Sequence, residues 1–427
     1  MAKFFVHTLG CKVNQVESDG LTAMLLERGH KLASADYEVA IINGCAVTNA
    51  AEKKSLRLIE RIKQQIPGVK VIFAGCAAEK LTPQQRELLH CDGVVGNGDK
   101  HRLPDILDAM LTGQLIQANE ADEVVFPEYA FEQYPQLRTR AFIKIQDGCD
   151  NYCSYCIIPY LRGGVRSRSI TSILQEVNAV VAAGFKEIVL TGIHLGNYGK
   201  ERGFEVRLHD VVECILQQTT IERIRLGSIE SPEISEQLLK LFEREPRLCR
   251  HLHLPLQAGC DVTLRQMNRN YQTNDYRLLV EQITRRFPDM AITADIIVGF
   301  PGETDADFAQ TCAFVEQLPL TGLHVFPFSR RSGTVAWSMP QQIDNAKKKL
   351  RAKAMTELGA TLQQKFLLSC INVSTAVLLE SIADGFAYGF SSNYQKIYLH
   401  EAGNVLGEIC LVKPLAIYQD GLRGQLV

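Results

Sequence analysis

No window of this 427-residue sequence approaches the roughly 20 consecutive apolar residues that a membrane-spanning helix needs. Nor does its start combine a basic region, an apolar core and a small-residue cleavage site, so the sequence predicts a soluble, cytoplasmic protein with no membrane partner. An excess of charge of one sign is also missing: 46 Lys and Arg stand against 48 Asp and Glu, a net charge of −2. Bulk electrostatics therefore gives no hint of nucleic acid, and any such contact needs a local patch. Cysteine, by contrast, is abundant. There are 13, an odd number, and in a reducing compartment clustered thiols indicate metal or catalysis rather than disulfides. The length exceeds one ordinary domain and suits about three.

Residues 1–112 alternate short apolar strands ("KFFVHTL", "YEVAIIN", "VKVIFA", "DGVVGN") with amphipathic helices, the pattern of a parallel α/β domain. Residues 113–138 read as a connector with little periodicity. A second α/β series over 139–363 has six candidate strands: "AFIKIQ", "EIVLTGI", "RIRLGSI", "HLHLPLQ", "ITADIIVGF" and "GLHVFPFS". That spacing predicts an incomplete (βα)6 barrel, whose chemistry belongs on the loops after the C-terminal strand ends. Residues 344–370 read as one long Lys-rich helix. Residues 364–427 are short strands split by Gly and Asp, predicting a small OB-like β-barrel of about five strands.

Cys149, Cys153 and Cys156 form CxxxCxxC directly after the first strand of the second unit. Three thiolates on one loop suit three irons of a [4Fe–4S] cluster and leave the fourth iron open to a small ligand. A structural zinc loop favours paired CxxC or CxxxxC units and a later His or Cys partner, and none follows at the usual distance. Three strands of the first domain also end alike, in "TLGC", "INGC" and "FAGC". Cys11, Cys45 and Cys76 are 34 and 31 residues apart, about one βα unit each, so a parallel sheet can bring them to one edge. Gly10, Gly44 and Gly75 before them allow close backbone approach or positive φ. The plain alternative is three small core residues.

The stretch "QDGCDNYCSYCIIPYLRGGVRSRS" resembles the radical-SAM superfamily. The resemblance implies that the open iron binds S-adenosylmethionine, whose reductive cleavage yields a 5′-deoxyadenosyl radical, with Tyr155 against the adenine. By position in that fold, Thr191 and Gly192 in "LTGIHLG", Ser228 in "GSIESPE", Gln257 in "LPLQAGCD" and Asp295 in "DIIVGFPGET" are implied cofactor contacts. Each also reads as a turn closing a strand.

Nearly the whole chain resembles the methylthiotransferase family, through "TLGCKVNQVESD", "INGCAVTNAAEKKS", "GCAAE", "LPLQAGCDVTLRQMNRNY" and "DIIVGFPGETDADF". This implies a second [4Fe–4S] cluster on Cys11, Cys45 and Cys76 and a C-terminal TRAM module that helps bind RNA. It implies a reaction that replaces C–H with C–S–CH₃ using two S-adenosylmethionines. Family branches act on isopentenyladenosine in tRNA, on threonylcarbamoyladenosine in tRNA, or on a ribosomal-protein aspartate. Lys12, Val13, "GCAVTNAAEKKS" and Cys260 resemble the threonylcarbamoyladenosine branch, implying adenosine 37 of the tRNA anticodon loop as the target. Gly44 departs from the Thr common in the family. An electron donor such as flavodoxin or ferredoxin is implied as a further partner, and the sulfur donor is not. Arg162, Arg166 and Arg168 are candidate substrate or RNA contacts, and "KKKLRAK" (347–353) a candidate phosphate-contacting face, against readings as internal bonds and solvated surface. From another class, a non-catalytic RNA-binding protein with zinc at both triads stays open.

Overall fold

In the first domain, strands β1 (Lys3–Thr8), β2 (Lys31–Leu32), β3 (Val39–Gly44), β4 (Lys70–Gly75) and β5 (Gly93–Val95) form one parallel sheet in the order β2-β1-β3-β4-β5. β3 is buried at every position because helices cover both its faces. Helices α1 (Lys12–Glu27) and α5 (Leu103–Thr112) pack on one side and α2 (Asn49–Gln65) on the other. The short helices α3 (Cys76–Glu79) and α4 (Pro83–Leu88) follow β4. The structure is a computed structural model that describes residues 1–113, 138–201, 203–400 and 403–427. The connector expected over 113–138 lies, apart from its two end residues, outside the described residues.

The second unit runs through β6 (Arg140–Lys144), β7 (Gln146–Asp147), α6 (Ile158–Arg162), β8 (Arg166–Ser167), α7 (Ile170–Ala182) and β9 (Glu187–Thr191). It continues with α8 (Leu208–Gln218), β10 (Arg223–Leu226), α9 (Glu236–Arg244), β11 (His251–His253), α10 (Asp261–Gln266) and α11 (Thr273–Arg286). Last come β12 (Ala291–Val298), α12 (Asp305–Gln317), β13 (Gly322–Pro327), α13 (Val335–Ser338) and α14 (Asn345–Cys370). β6, β9 and β10 pair in parallel, as do β11, β12 and β13, and parallel bridges Ile224–Leu248 and Ser228–His253 join the two groups. The six strands therefore make one open arc, the incomplete barrel expected. Side chains alternate across it. Ile188, Leu190, Ile224, Leu226, Ile292 and Ile296 enter the apolar core under the helices, while Glu187, Arg225, His253 and Asp295 face the concave side.

Helix α14 starts on an Asp344 cap, whose carboxylate accepts from the Lys347 amide. Met355 and Leu362 join the barrel core and Leu367 the core of the C-terminal module, so the boundary expected between 363 and 364 falls inside an unbroken helix. Three of the five cations in its basic stretch are held by partners within the protein rather than left as a phosphate-contacting face. Lys347 pairs with Asp305, Lys348 lies over the Phe328 ring, and buried Arg351 pairs with Glu303 and Asp305. Lys347 and Arg351 tie the helix to the segment after β12, and Lys348 packs on the residue that follows β13.

The C-terminal strands β14 (Thr375–Ala383), β15 (Phe386–Ser391), β16 (Lys396–His400), β17 (Ile409–Tyr418) and β18 (Gly421–Leu426) close into a five-stranded barrel. Its β15–β16 turn closes one end of the arc. Arg225 donates to the carbonyls of Ser391 (3.1 Å) and Ser392 (2.9 Å), Arg223 to that of Phe390 (3.1 Å), and the Tyr394 ring lies 4.6 Å from the Arg225 guanidinium. Among the described residues, no helix is long and apolar enough to cross a membrane.

Candidate functional site

The register of the first sheet sets Thr8 opposite Asn43 and Gly44 opposite Gly75, so β1, β3 and β4 end level with one another. Cys11 opens α1, Cys45 follows β3, and Cys76 opens α3, which brings the three thiols to one rim. Asn43 and Asn14 lock the turns: Asn43 donates to the Asn14 carbonyl (2.8 Å), and Asn14 donates to the Leu9 carbonyl (2.8 Å). The three glycines serve two purposes. Gly10 (φ +108°) and Gly75 (φ +93°) need positive φ, and a Cβ on Gly10 would sit 2.8 Å from the Cys45 sulfur. Gly44 has no positive φ, and the physical reason for it is space. A Cβ there would lie 2.7 Å from the Phe73 ring and 3.0 Å from Ala77, next to Cys76.

Cys45 and Cys76 are buried, and Cys11 is solvent-accessible. Burial, reinforced by the neighbouring thiols Cys11 and Cys76, pushes the Cys45 thiol up to about 11. Opposing this is Arg162, which comes from the other domain. Its Nε donates to the Cys76 sulfur (3.2 Å), its Nη1 to Glu17 (2.8 Å) and Asp147 (3.0 Å), and its Nη2 to Asn14 (2.9 Å). Lys100 also pairs with Glu17, and Lys144 with Glu17 (2.9 Å) and Asp147 (2.6 Å). All five charged groups are buried. Burial alone would raise the Glu17 carboxyl, but Arg162, Lys100 and Lys144 outweigh it and hold it well below the usual range. Three cations face two carboxylates, so the network holds one positive charge more than its carboxylates cancel, and Arg162 brings that charge to the Cys76 sulfur.

The second triad lies in the loop closed by the antiparallel β7–β8 pair, and all three thiols are half-buried. Arg269 donates to the Cys153 sulfur (3.0 Å), and His194 Nδ1 is 3.8 Å from the Cys149 sulfur. Burial pushes Cys156 up to about 12. For His194 burial alone would lower the value, but Cys149, Glu233 and Glu230 together raise it to about 9. Several buried polar atoms here lack a hydrogen-bond partner among the described residues. His194 Nε2 and Glu233 Oε2 stand 3.2 Å apart without alignment, and Arg269 Nε is also unpaired. Cationic and carboxylate groups that keep single polar atoms without a hydrogen bond, gathered in one cluster, fit the charged amino and carboxylate end of a bound amino-acid-like ligand. Both thiol sets also fit a [4Fe–4S] cluster. Each supplies three soft donors and a guanidinium that offsets their charge.

The remaining residues expected at the site divide. Tyr155 packs on the barrel core near Arg269. Thr191 is buried and its carbonyl accepts from the Ile145 amide (3.0 Å). Gly192 makes room for Gln146, whose Oε1 would be 2.7 Å from an added Cβ and which accepts from the His194 amide. Ser228 is exposed beside His253. Gln257 takes φ +67° and donates its amide to the Asp295 carbonyl, while the Asp295 carboxylate is 3.2 Å from His253 Nε2. Arg162 and Arg168, expected as substrate or RNA contacts, are buried on internal partners: Arg162 as above, Arg168 on Glu176 and Ser172. Arg166 is half-buried, 3.7 Å from Asp147.

Arg269, Glu230, Glu233 and Glu17 do not stand out in the sequence, although each lies inside a motif quoted for its cysteines or glycines. Lys12 joins the two halves of the site. It is solvent-accessible at the start of α1 and feels charges from the barrel strands. Burial lowers its ammonium and Tyr394 acts against that, while Arg140 and Arg225 on the barrel strands lower it further. Thus α1 presents its N-terminus, with Cys11, to the concave side of the barrel.

Residues 143–315 match the radical SAM superfamily, and residues 3–96 match uncharacterized protein family UPF0004. The threonylcarbamoyladenosine tRNA methylthiotransferase MtaB of Thermotoga maritima is 36% identical over 98% of this chain and 95% of its own length. The Bacillus subtilis protein of that name is 31% identical over 100% and 97%. A tRNA-2-methylthio-N(6)-dimethylallyladenosine synthase of Natranaerobius thermophilus is 30% identical over 99% and 96%. Among solved structures, the radical S-adenosylmethionine methyltransferase TsrM of Kitasatospora setae, with cobalamin and a [4Fe–4S] cluster bound, aligns with a TM-score of 0.57. It covers 91% of this chain and 77% of its own, and at 14% identity it speaks to the fold alone.

Proposed function

The chain belongs to the radical-SAM tRNA methylthiotransferase family, and from that premise we propose that it adds a methylthio group to carbon 2 of threonylcarbamoyladenosine at position 37 of tRNA. In this reading Cys149, Cys153 and Cys156 hold the cluster that takes S-adenosylmethionine, and Cys11, Cys45 and Cys76 hold the second [4Fe–4S] cluster. When bound, these groups supply what side chains cannot: a radical that abstracts hydrogen from an unactivated C–H, the sulfur, and the methyl group. The carrying observation is that Arg162 links the two triads through one buried network, from the Cys76 sulfur to Asp147, two residues before Cys149.

The protein's own residues do the rest. Arg162 and Arg269 offset thiolate charge at each triad, and their internal ion pairs fix them in place before any ligand arrives. Glu230, Glu233 and His194 line the side of the second triad where the ligand's charged end fits. His253, Asp295, Arg140 and Lys12 give the concave side a polar lining suited to a nucleoside, and the Tyr394 turn closes the far end against water. An electron donor of the flavodoxin or ferredoxin kind completes the proposal.

Mass spectrometry of tRNA nucleosides from cells lacking the gene tests it. Loss of 2-methylthio-threonylcarbamoyladenosine, with its unthiolated precursor accumulating, is the expected result. Loss of the methylthiolated isopentenyladenosine instead would move the chain to the other tRNA branch. Reconstitution to roughly eight irons per chain, with 5′-deoxyadenosine released on reduction, separates the enzyme from a zinc-bearing binding module.

A further inference from the structure

Helix α2 covers β3 and β4 through Leu58, Ile59 and Ile62 but leaves β1 only partly covered. Phe5 and His7 stay half-buried there, and between β1 and α2 lies a cleft of about 970 Å³. One wall is cationic: Lys53, Lys54, Arg57 and Arg61 project into it from successive turns of α2. All four are exposed, and none makes an ion pair or side-chain hydrogen bond among the described residues. No acidic side chain lines the cleft. Two acids adjoin these cations in sequence: Glu52 is already held by Lys80 (3.0 Å) and Arg331 (2.6 Å), and Glu60, beside Arg61, is exposed and is not among the residues lining the cleft.

The floor is aromatic. The Phe5 and His7 rings meet edge to face at 4.7 Å, and Phe5 stacks on Tyr37 at 5.7 Å. The cleft extends along β1 to Thr8 and Leu9, two residues short of Cys11 and so beside the rim that carries the first triad. In a protein of net charge −2, four unopposed cations on one concave wall repel each other and gain nothing from the fold. A ligand that repeats negative charge along a strand and carries flat faces satisfies both wall and floor. Single-stranded nucleic acid does so, with phosphates on the cations and a base against the rings.

We propose that this cleft is the docking groove for an unpaired segment of the tRNA substrate, and that it leads the strand toward Cys11. The proposal rests on the tRNA reading above. It places RNA binding on the N-terminal domain, where the sequence alone pointed to the C-terminal module and to three arginines of which Arg162 and Arg168 are buried.

The test uses the reconstituted full-length holoenzyme and its K53A/K54A/R57A/R61A variant, with tRNA binding followed by anisotropy over a range of salt concentrations. The expected result is at least a tenfold weaker affinity near 0.1 M salt. The slope of log K against log salt should shrink by about 0.7 for each single-strand phosphate that the variant no longer neutralises. Turnover should show a raised KM for tRNA with kcat kept, and dithionite-driven cleavage of S-adenosylmethionine should match the parent, which shows that the fold and clusters are intact. An affinity and salt slope equal to the parent's would overturn the proposal. Unchanged tRNA affinity, with turnover slowed only when a reductase protein replaces dithionite, would assign the cleft to an acidic protein partner and also overturn it. A parent enzyme that binds no tRNA would instead overturn the functional reading on which the groove depends.

Discussion

Gly44 and Arg162 show how much rests on single side chains. Gly44 departs from the family pattern, and its neighbours give the reason: Phe73 and Ala77 fill the space where a Cβ would go. Gly44→Ala must therefore push the Phe73 ring or the start of α3. We expect a loss of about 1–3 kcal/mol in denaturant unfolding, with lowered iron content at the first triad. Equal stability and iron would mean that Phe73 yields freely. Arg162 is the sharper case. Arg162→Gln leaves Glu17 and Asp147 with two lysines and removes the donor to Cys76. Breaking a buried pair costs about 3–5 kcal/mol, and Arg162→Lys should not restore it, because one ammonium cannot reach Cys76, Glu17, Asp147 and Asn14 together. Unfolding curves of both variants, with iron assays, check this.

At the scale of elements, buried charged groups join the parts of the fold alongside the apolar contacts of α14. The β15–β16 turn closes the barrel arc on Arg223 and Arg225, and these rest on Glu187, which is fully buried. Arg225→Ala removes two bonds to module carbonyls and part of the Glu187 counter-charge. It should cost about 3 kcal/mol or more, and limited proteolysis should then cut the C-terminal module before the barrel. Simultaneous loss of both parts would show that the module is held elsewhere. Helix α14 carries the same lesson. Its basic run reads as a surface patch in sequence, yet Lys347 and Arg351 bind the segment after β12 because carboxylates 40 or more residues away come to meet them.

For the whole molecule, acid stability follows from the polar lining of the barrel. His251 is buried, and burial, then Arg225, His253, Lys12 and His324, hold it well below its ordinary value, so it is neutral in the fold. Its unfolded form binds a proton below about 6.5. The stability tied to a neutral His251 is thus complete above that pH and lost progressively as pH falls below it. Unfolding free energies measured from pH 7.5 to 5.5 should decline, and His251→Asn should flatten that decline. An unchanged slope would place the titration on another group.

Much of this architecture is legible in the sequence. Buried apolar strands at βα spacing mark the parallel sheet and the barrel arc, and CxxxCxxC marks the second triad, because both patterns are local in the chain. The three Gly-Cys endings predict convergence, which the β1-β3-β4 neighbourhood and its level register provide. The fate of charged residues is not legible there. Arg162, Arg168 and Arg351 look like surface cations when read alone, and only the folded chain shows their carboxylates. Lys53, Lys54, Arg57 and Arg61 look the same in sequence, and the fold leaves them open. Local pattern thus determined strands, helices, the two cysteine triads and family, since backbone geometry and motif spacing depend on residue type and order along the chain. Which cations are neutralised and which stay free to meet a polyanion was decided only by the tertiary structure, because Coulomb interactions depend on distance in space and not on separation along the chain.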